Sequence, residues 1–316
     1  MVRFSVIMPL YNKAPYVGKA VESVLAQTCG EWELVVVDDG SKDGSGDIVK
    51  QYHDPRIRLH RQENAGVSVA RNNGVAMATA PYVCFLDADD WWEPTFLEEM
   101  SGLIDRHPDA GIYGTNYWFV KNGQKRLSTI GFDEGFEEGE VNYCRLYAIT
   151  LCMPLWTGAV CMPKSVFEDE GGFKPGLKLG EDFVLWIHTA LKHKTVLTRK
   201  PLSNYNQDVD ITWRGTHRVH KPEDHMLWNL GDLEPEEKRN TDYKQLIDNL
   251  RTYNMQFYIT DRRYRQQARE VLKKVDWSRQ PKQMRRLYSL PAWAITARHR
   301  LMNLGAKTKQ FLRGVL

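Results

Sequence analysis

An α/β fold, with a mostly parallel central sheet flanked by helices and a helical C-terminal extension, is what this 316-residue sequence predicts. Three observations predict it. Strand and helix patterns alternate through the N-terminal third. Three of the strand patterns end in polar clusters, as strands do when their tips line a crevice at one sheet edge. From about Glu223 onward the pattern is helical, with Pro281 and Pro291 as breakers.

The elements follow in order. Phe4-Ser5-Val6-Ile7-Met8 reads as a strand closed by Pro9, and Val17, Val21, Val24 and Leu25 fall at helical spacing. Trp32 to Val37 is a second strand, ending in Asp38-Asp39-Gly40-Ser41. A short helix reaches Tyr52, a strand covers Ile57 to Leu59, and a helix covers Ala65 to Ala78. Tyr82 to Leu86 is an apolar, β-prone run bounded upstream by Pro81. Gly111 to Val120 suggests a strand and Gly131 to Gly139 an acidic, Gly-rich loop. Gly180-Glu181-Asp182 opens a helix over Phe183 to Lys192, and Lys194 to Arg199 is a strand. The predicted division is residues 1–220 as the main domain and 221–316 as a basic helical extension.

Composition narrows the function classes. Charged residues are 26% and hydrophobic ones 42%, ordinary for a globular chain. The formal net charge of +3 gives no reason to expect nucleic-acid binding, but its placement is uneven. Trp277 to Leu316 holds nine Lys/Arg and no Asp or Glu. Five scattered cysteines without Cys-x-x-Cys spacing suggest reduced thiols and no zinc ribbon. No run approaches the roughly 18 apolar residues of a membrane span. The expectation is a cytoplasmic protein, with peripheral contact at the inner face of the cell membrane as an extension of it.

The sharpest clue is Asp87-Ala88-Asp89-Asp90 after the Tyr82 strand. Carboxylates without compensation are too costly to bury, so the run should emerge at the sheet edge. In an extended chain Asp87 and Asp89 point the same way and can approach one cation or one phosphate. The competing reading is that Asp89 or Asp90 caps the helix around Pro94 to Met100.

Joined with its neighbours, this run resembles the family 2 glycosyltransferases of GT-A fold. The matching segments are Val6 to Lys13, Val36 to Ser41, Asn64-Ala65-Gly66, Ala70-Arg71-Asn72, Phe85 to Asp90, Gly171-Gly172-Phe173 and Gly180 to Trp186, over about residues 3–206. The resemblance implies a metal-dependent inverting transferase moving one sugar from a nucleotide diphosphate sugar, a UDP-sugar first, to a hydroxyl of a glycan or lipid-linked acceptor. It implies Asp89 as metal ligand with Asp87 assisting, and Mn2+ or Mg2+ as the hard cation. It implies Pro9 and Tyr11 as walls of the base pocket, Asp39 as acceptor from the base, and Arg71 as a fixed cation near base or diphosphate, with Asp87 and Ala88 also among the donor-binding residues. Asp182 becomes the general base, with Glu181 next in line. His217 is a further candidate for the metal, and Trp91, Trp156 and Gly158 for sugar contact.

Other readings compete. A sugar nucleotidyltransferase would carry a Gly-rich, Arg-containing loop after the first strand, where Pro9-Leu10-Tyr11-Asn12-Lys13 stands. A degenerate transferase serving as a glycan-binding or scaffolding subunit would have little use for the intact acids Asp39, Asp87, Asp89 and Asp182. Asp39 to Gly44 imitates a calcium loop, but its twelfth position is Lys50. Gln283-x-x-Arg286 is followed by Leu287 in place of the Trp of processive synthases, which favours single-sugar transfer. Ala294, Ala297, Leu301, Leu304, Thr308, Phe311 and Val315 share a helical face that suits an anionic lipid surface. The competing partner for that face is its own domain or a second subunit of a homo-oligomer.

Overall fold

The computed structural model describes residues 2–209 and 219–298. Its described residues form two compact units: one holds everything before Val219 together with Asp224–Leu230, the other Val219–Glu223 and the chain from Gly231. His217, and most of the amphipathic face expected from Ala294 to Val315, lie outside the described residues.

The first unit is a ten-stranded sheet with helices on both faces. Its strands are β1 (Phe4–Leu10), β2 (Trp32–Asp38), β3 (Ile57–Arg61), β4 (Tyr82–Phe85), β5 (Trp91–Trp92), β6 (Ala110–Lys121), β7 (Gln124–Leu127), β8 (Glu138–Val141), β9 (Val160–Pro163) and β10 (Lys194–Asn206). The order is β3-β2-β1-β4-β9-β6-β10-β5, with β7 on β6 and β8 on β10. The first four strands are parallel to one another, and β10 runs parallel to β6. Beyond β4 the sheet turns mixed, because β9 inserts antiparallel between β4 and β6. Nothing in the four residues of β9 marks that insertion in advance; the sheet is wholly parallel from β3 to β4, and beyond β9 the parallel pair β6 and β10 runs among antiparallel neighbours.

The helices are α1 (Ala14–Leu25), α2 (Ser45–Val49), α3 (Val67–Met77), α4 (Phe96–Arg106), α5 (Tyr143–Thr150), α6 (Lys164–Asp169) and α7 (Glu181–Lys192). β1 is buried almost throughout, as a strand covered on both faces must be. Phe4, Val6, Met8 and Leu10 join Val17, Val21 and Val24 of α1 and Phe96, Met100 and Leu103 of α4 in one core. The opposite face takes α3. An added Cβ on Gly74 would stand 2.5 Å from Ile7 Cγ2, so that helix approaches closer than alanine allows. Phe85, Phe167, Phe173 and Trp186 form an aromatic cluster, with the Phe85 and Phe173 centroids 5.1 Å apart.

Two local expectations change. Pro9 does not close β1 but lies inside it, opposite Val37. Asp89 and Asp90 cap no helix: α4 begins only at Phe96, after Thr95.

The second unit contains α8 (Glu236–Arg239), α9 (Thr241–Tyr258), α10 (Arg265–Lys273) and α11 (Lys282–Ser289). Asn240 caps α9 by accepting from the amides of Asp242 and Tyr243. The buried Arg251 guanidinium binds Glu237 and Asp248. No described helix is long and apolar enough to cross a membrane.

Candidate active site

The polar tips of β1, β2 and β4 meet at one sheet edge. After β1 the chain turns at Asn12, which takes the left-handed conformation (φ 51°), and its side chain accepts from the Lys42 amide at 2.9 Å. The Asn12 and Lys13 amides donate to the hydroxyls of Ser41 and Ser45 at 3.1 and 2.8 Å. The loops after β1 and β2 are thus one hydrogen-bonded piece. Pro9 is half-buried at the end of β1, and Tyr11 is exposed on this edge.

Asp39 is buried, and its carboxylate organises the next loop. Oδ1 accepts from Gln62 Nε2 and the Ala65 amide, both at 2.8 Å; Oδ2 accepts from Asn64 Nδ2 at 3.1 Å and the Gly66 amide at 2.9 Å. Four donors use the acceptor capacity of a carboxylate, so Asp39 shapes the 62–66 loop directly. The motif Asn64-Ala65-Gly66 is thereby tied to Asp38-Asp39.

The acidic run after β4 is a turn, not an extended segment, since the Asp90 amide donates to the Asp87 carbonyl at 2.9 Å. That corrects the reason for pairing Asp87 with Asp89: the turn, not the strand period, sets their directions. Ala88 is buried within it. The three acids have different partners. Asp87 Oδ1 accepts from Arg71 Nη2 at 2.7 Å. Asp89 Oδ2 meets Lys13 Nζ at 2.5 Å. Asp90 is buried and accepts from the Asn206 amide at 2.8 Å, pinning the turn to β10. Burial, reinforced by the charges of Asp89 and Asp87, holds the Asp90 carboxyl well above the usual carboxylate range.

Arg71 is the centre of the arrangement. Its guanidinium is buried and bridges two elements: Nη2 to Asp87, and Nη1 to Glu181 Oε1 at 3.1 Å. The Phe173 ring lies 5.0 Å beneath it. Neighbouring Asn72 donates to the Phe173 carbonyl at 2.8 Å and accepts from the Phe173 amide at 2.9 Å. Ala70-Arg71-Asn72 and Gly171-Gly172-Phe173 therefore meet in space.

Glu181 and Asp182 open α7 after Gly180, whose φ of 80° suits glycine. Asp182 Oδ2 accepts from Thr157 Oγ1 at 2.9 Å, and Oδ1 from the Phe183 amide at 2.7 Å. Burial raises the proton affinity of Asp182, against the opposing charge of Arg71. Glu181 is raised by burial and by the charge of Asp182, again opposed by Arg71. A short strap backs this helix start. The Lys178 and Leu179 amides donate to the Asp224 carbonyl at 2.9 and 3.2 Å, and the Met226 amide to the Leu179 carbonyl at 3.0 Å. An added Cβ on Gly180 would stand 2.4 Å from Met226 Sδ. Gly180→Ala should therefore cost about 1–3 kcal/mol, from left-handed strain and overpacking together. Adding Met226→Ala removes the Sδ and Cγ contacts but leaves the Met226 Cβ 2.8 Å away and the φ unchanged, so urea midpoints should recover only part of the loss.

The aromatic candidates separate. Trp156 is half-buried, with its ring centroid 4.1 Å from that of Tyr205. Trp91 carries Lys19 Nζ 3.0 Å from its ring centroid. Gly158 is buried, and its carbonyl accepts from Trp92 Nε1 at 2.6 Å. Trp92 is core, stacked on Phe96 with centroids 4.0 Å apart. The sequence reading did not assign roles to Thr157 or Asn206, nor to Lys13 as the counter-charge of Asp89. Thr157 and Lys13 lay inside segments already singled out, whereas Asn206 carried no signal.

Among the described residues no group of three or more His, Cys, Asp and Glu side chains is placed to enclose a metal ion. A hard cation held by one or two carboxylates and completed by substrate phosphates and water needs no such enclosure. Asp87 and Asp89 fit that mode: their side chains are 25% and 19% exposed at the turn.

The architecture defines the class. The chain has the GT-A fold: it superposes on the Staphylococcus aureus TarS fragment 1–349, crystallised with UDP-GlcNAc, at a TM-score of 0.70 and 21% identity, covering 86% of this chain and 80% of that one. Residues 5–154 match the model of glycosyl transferase family 2, and this domain belongs to that family. The glycosyltransferase GlyA of Streptococcus pneumoniae is 44% identical over 118 residues, 37% of this chain and 17% of GlyA. YibD of Escherichia coli, an uncharacterised glycosyltransferase, is 45% identical over 125 residues, 39% of this chain and 36% of YibD. The matches thus span well under half of these relatives' length.

Proposed function

We propose that the protein is a metal-dependent inverting glycosyltransferase that moves one sugar from a UDP-sugar to a hydroxyl of a glycan or lipid-linked acceptor. One observation carries the reading: the buried Arg71 guanidinium joins Asp87, on the turn after β4, to Glu181 at the start of α7. It sets a carboxylate turn suited to a diphosphate beside a carboxylate pair suited to proton transfer. The family match and the UDP-GlcNAc held by TarS support the donor class.

Asp89, with Asp87, would hold Mn2+ or Mg2+, which when bound supplies positive charge against the diphosphate oxygens. Pro9 and Tyr11 flank the base. Asp39 acts through the 62–66 loop that it organises. Glu181 is committed to Arg71, so Asp182 takes the proton from the attacking hydroxyl. Direct displacement on the face opposite the leaving group then inverts the anomeric carbon, with no covalent enzyme intermediate. Trp156 and Trp91 offer aromatic faces to sugar rings.

The test is a hydrolysis and transfer screen of nucleotide sugars. Turnover of a UDP-sugar should vanish with EDTA, return with manganese or magnesium, and fall at least a hundredfold in Asp89→Ala, on the order of losing a positioned charge clamp. Full activity after chelation ends the metal assignment, and turnover confined to nucleotide exchange on a sugar phosphate favours the nucleotidyltransferase.

A further inference from the structure

The second unit carries a basic surface that the transferase reading does not use. From Arg262 to Arg298 the sequence has eleven Lys/Arg and two Asp/Glu, Glu270 and Asp276. Those two acids are paired with Lys273 and Arg279. Among the described residues Arg262, Arg269 and Arg285 have no acidic partner within ion-pair distance, so their charge is uncompensated. They stand beside apolar surface. A cavity of about 690 Å³ between α10, α11 and the following segment is walled by Leu272, Tyr288 and Ile295, with Arg269 and Arg285 in its lining. Arg269 also lines an adjoining hollow with Arg262 and Trp293. Trp293 is 74% exposed and Leu290 44% exposed.

An unpaired arginine cluster next to an exposed tryptophan and an apolar recess matches an interface with charged headgroups above and acyl chains below. A second copy of the same face would bring the same positive charge, so charge complementarity rejects it as occupant. We propose that the second unit docks on an anionic phospholipid surface, with Arg262, Arg269 and Arg285 on headgroup phosphates and Trp293 and Leu290 in the interfacial layer. The proposal agrees with a lipid-linked acceptor but does not depend on transferase activity.

The experiment is sedimentation of the full chain with vesicles of phosphatidylcholine alone or with about 30% phosphatidylglycerol, to supply an anionic surface. Binding should require the anionic lipid and fall with salt as screening shortens. The triple variant Arg262→Gln, Arg269→Gln, Arg285→Gln should lose roughly a hundredfold in partitioning, at about fivefold per interfacial cation. Trp293→Ala, at an exposed position that leaves folding intact, should lose several-fold. Circular dichroism of each variant and UDP-sugar hydrolysis in detergent-free buffer serve as folding controls. Equal binding to neutral vesicles, retention by both variants, or preference for an oligonucleotide of equal charge over the vesicles would overturn the proposal. Vesicle binding without any UDP-sugar turnover would leave the membrane surface standing and remove the enzymatic reading.

Discussion

Arg71→Met should destabilise the protein by about 3–5 kcal/mol, the usual cost of removing one partner from a buried ion pair. The reason is geometric. The guanidinium is 4% exposed and is the counter-charge to both Asp87 and Glu181. Methionine fills most of the volume above Phe173 but leaves the half-buried Glu181 beside Asp182 with no cation. Arg71→Lys keeps the charge but not the planar fork that reaches two carboxylates, and should lose less. In urea titrations the midpoint should fall with the slope m unchanged. Adding Glu181→Gln to Arg71→Met should return part of the loss, because one uncompensated charge is gone. The pH dependence has a definite sign. Without Arg71, which lowers it, the raised proton affinity of Glu181 rises further, so the fold holds that proton more tightly than the unfolded chain. Stability of Arg71→Met should then improve as pH falls through the folded value and decline as pH rises through it. A midpoint equal to that of the parent at every pH would remove the bridge from the account.

How far the sequence reached follows from the kind of information each element carries. β1, β2 and β4 were legible because strands covered on both faces read as apolar runs, and their polar ends mark the sheet edge. β9 and β5 were not, since four and two residues hold too little periodicity, and their antiparallel partners lie far away in sequence. The site shows the same division. Asp39, Asp87, Asp89, Glu181 and Asp182 sit at element ends, Arg71 lies within α3, and all of them were found as motifs. Thr157 and Asn206 act only through side-chain and backbone contacts across 25 and 116 residues, which no local pattern encodes. The turn at Asp87 to Asp90 shows why the role of a motif is clearer than its geometry. Of its three acids, Asp90 turns inward to fasten the turn, and Asp87 is already paired with Arg71. Asp89 faces a single lysine.

Asp182→Asn should lower kcat by about 10²–10⁴-fold, the usual contribution of a positioned base, with little change in KM for the donor. The substitution separates chemistry from structure unusually well. Asparagine can still accept from the Phe183 amide, and its NH2 can donate to the Thr157 hydroxyl, which accepts as readily as it donates. The helix start should therefore survive while the proton acceptor is lost. Thermal unfolding of this variant should match the parent closely. The pH profile supplies a readout that a structural role would not move. Burial raises the proton affinity of Asp182 above that of an ordinary aspartate, against the pull of Arg71. Turnover in the parent should fall as pH drops through that raised value, and the variant should lose this acid limb altogether. The same shift implies that the group favours the fold at pH below its unfolded value and withdraws that contribution as pH rises through the folded one. Glu181→Gln keeps Asp182 in place, so it should retain the limb while losing binding through Arg71. If Glu181→Gln abolishes the limb and Asp182→Asn keeps full turnover, the base is Glu181, and the Thr157 contact only anchors the start of α7.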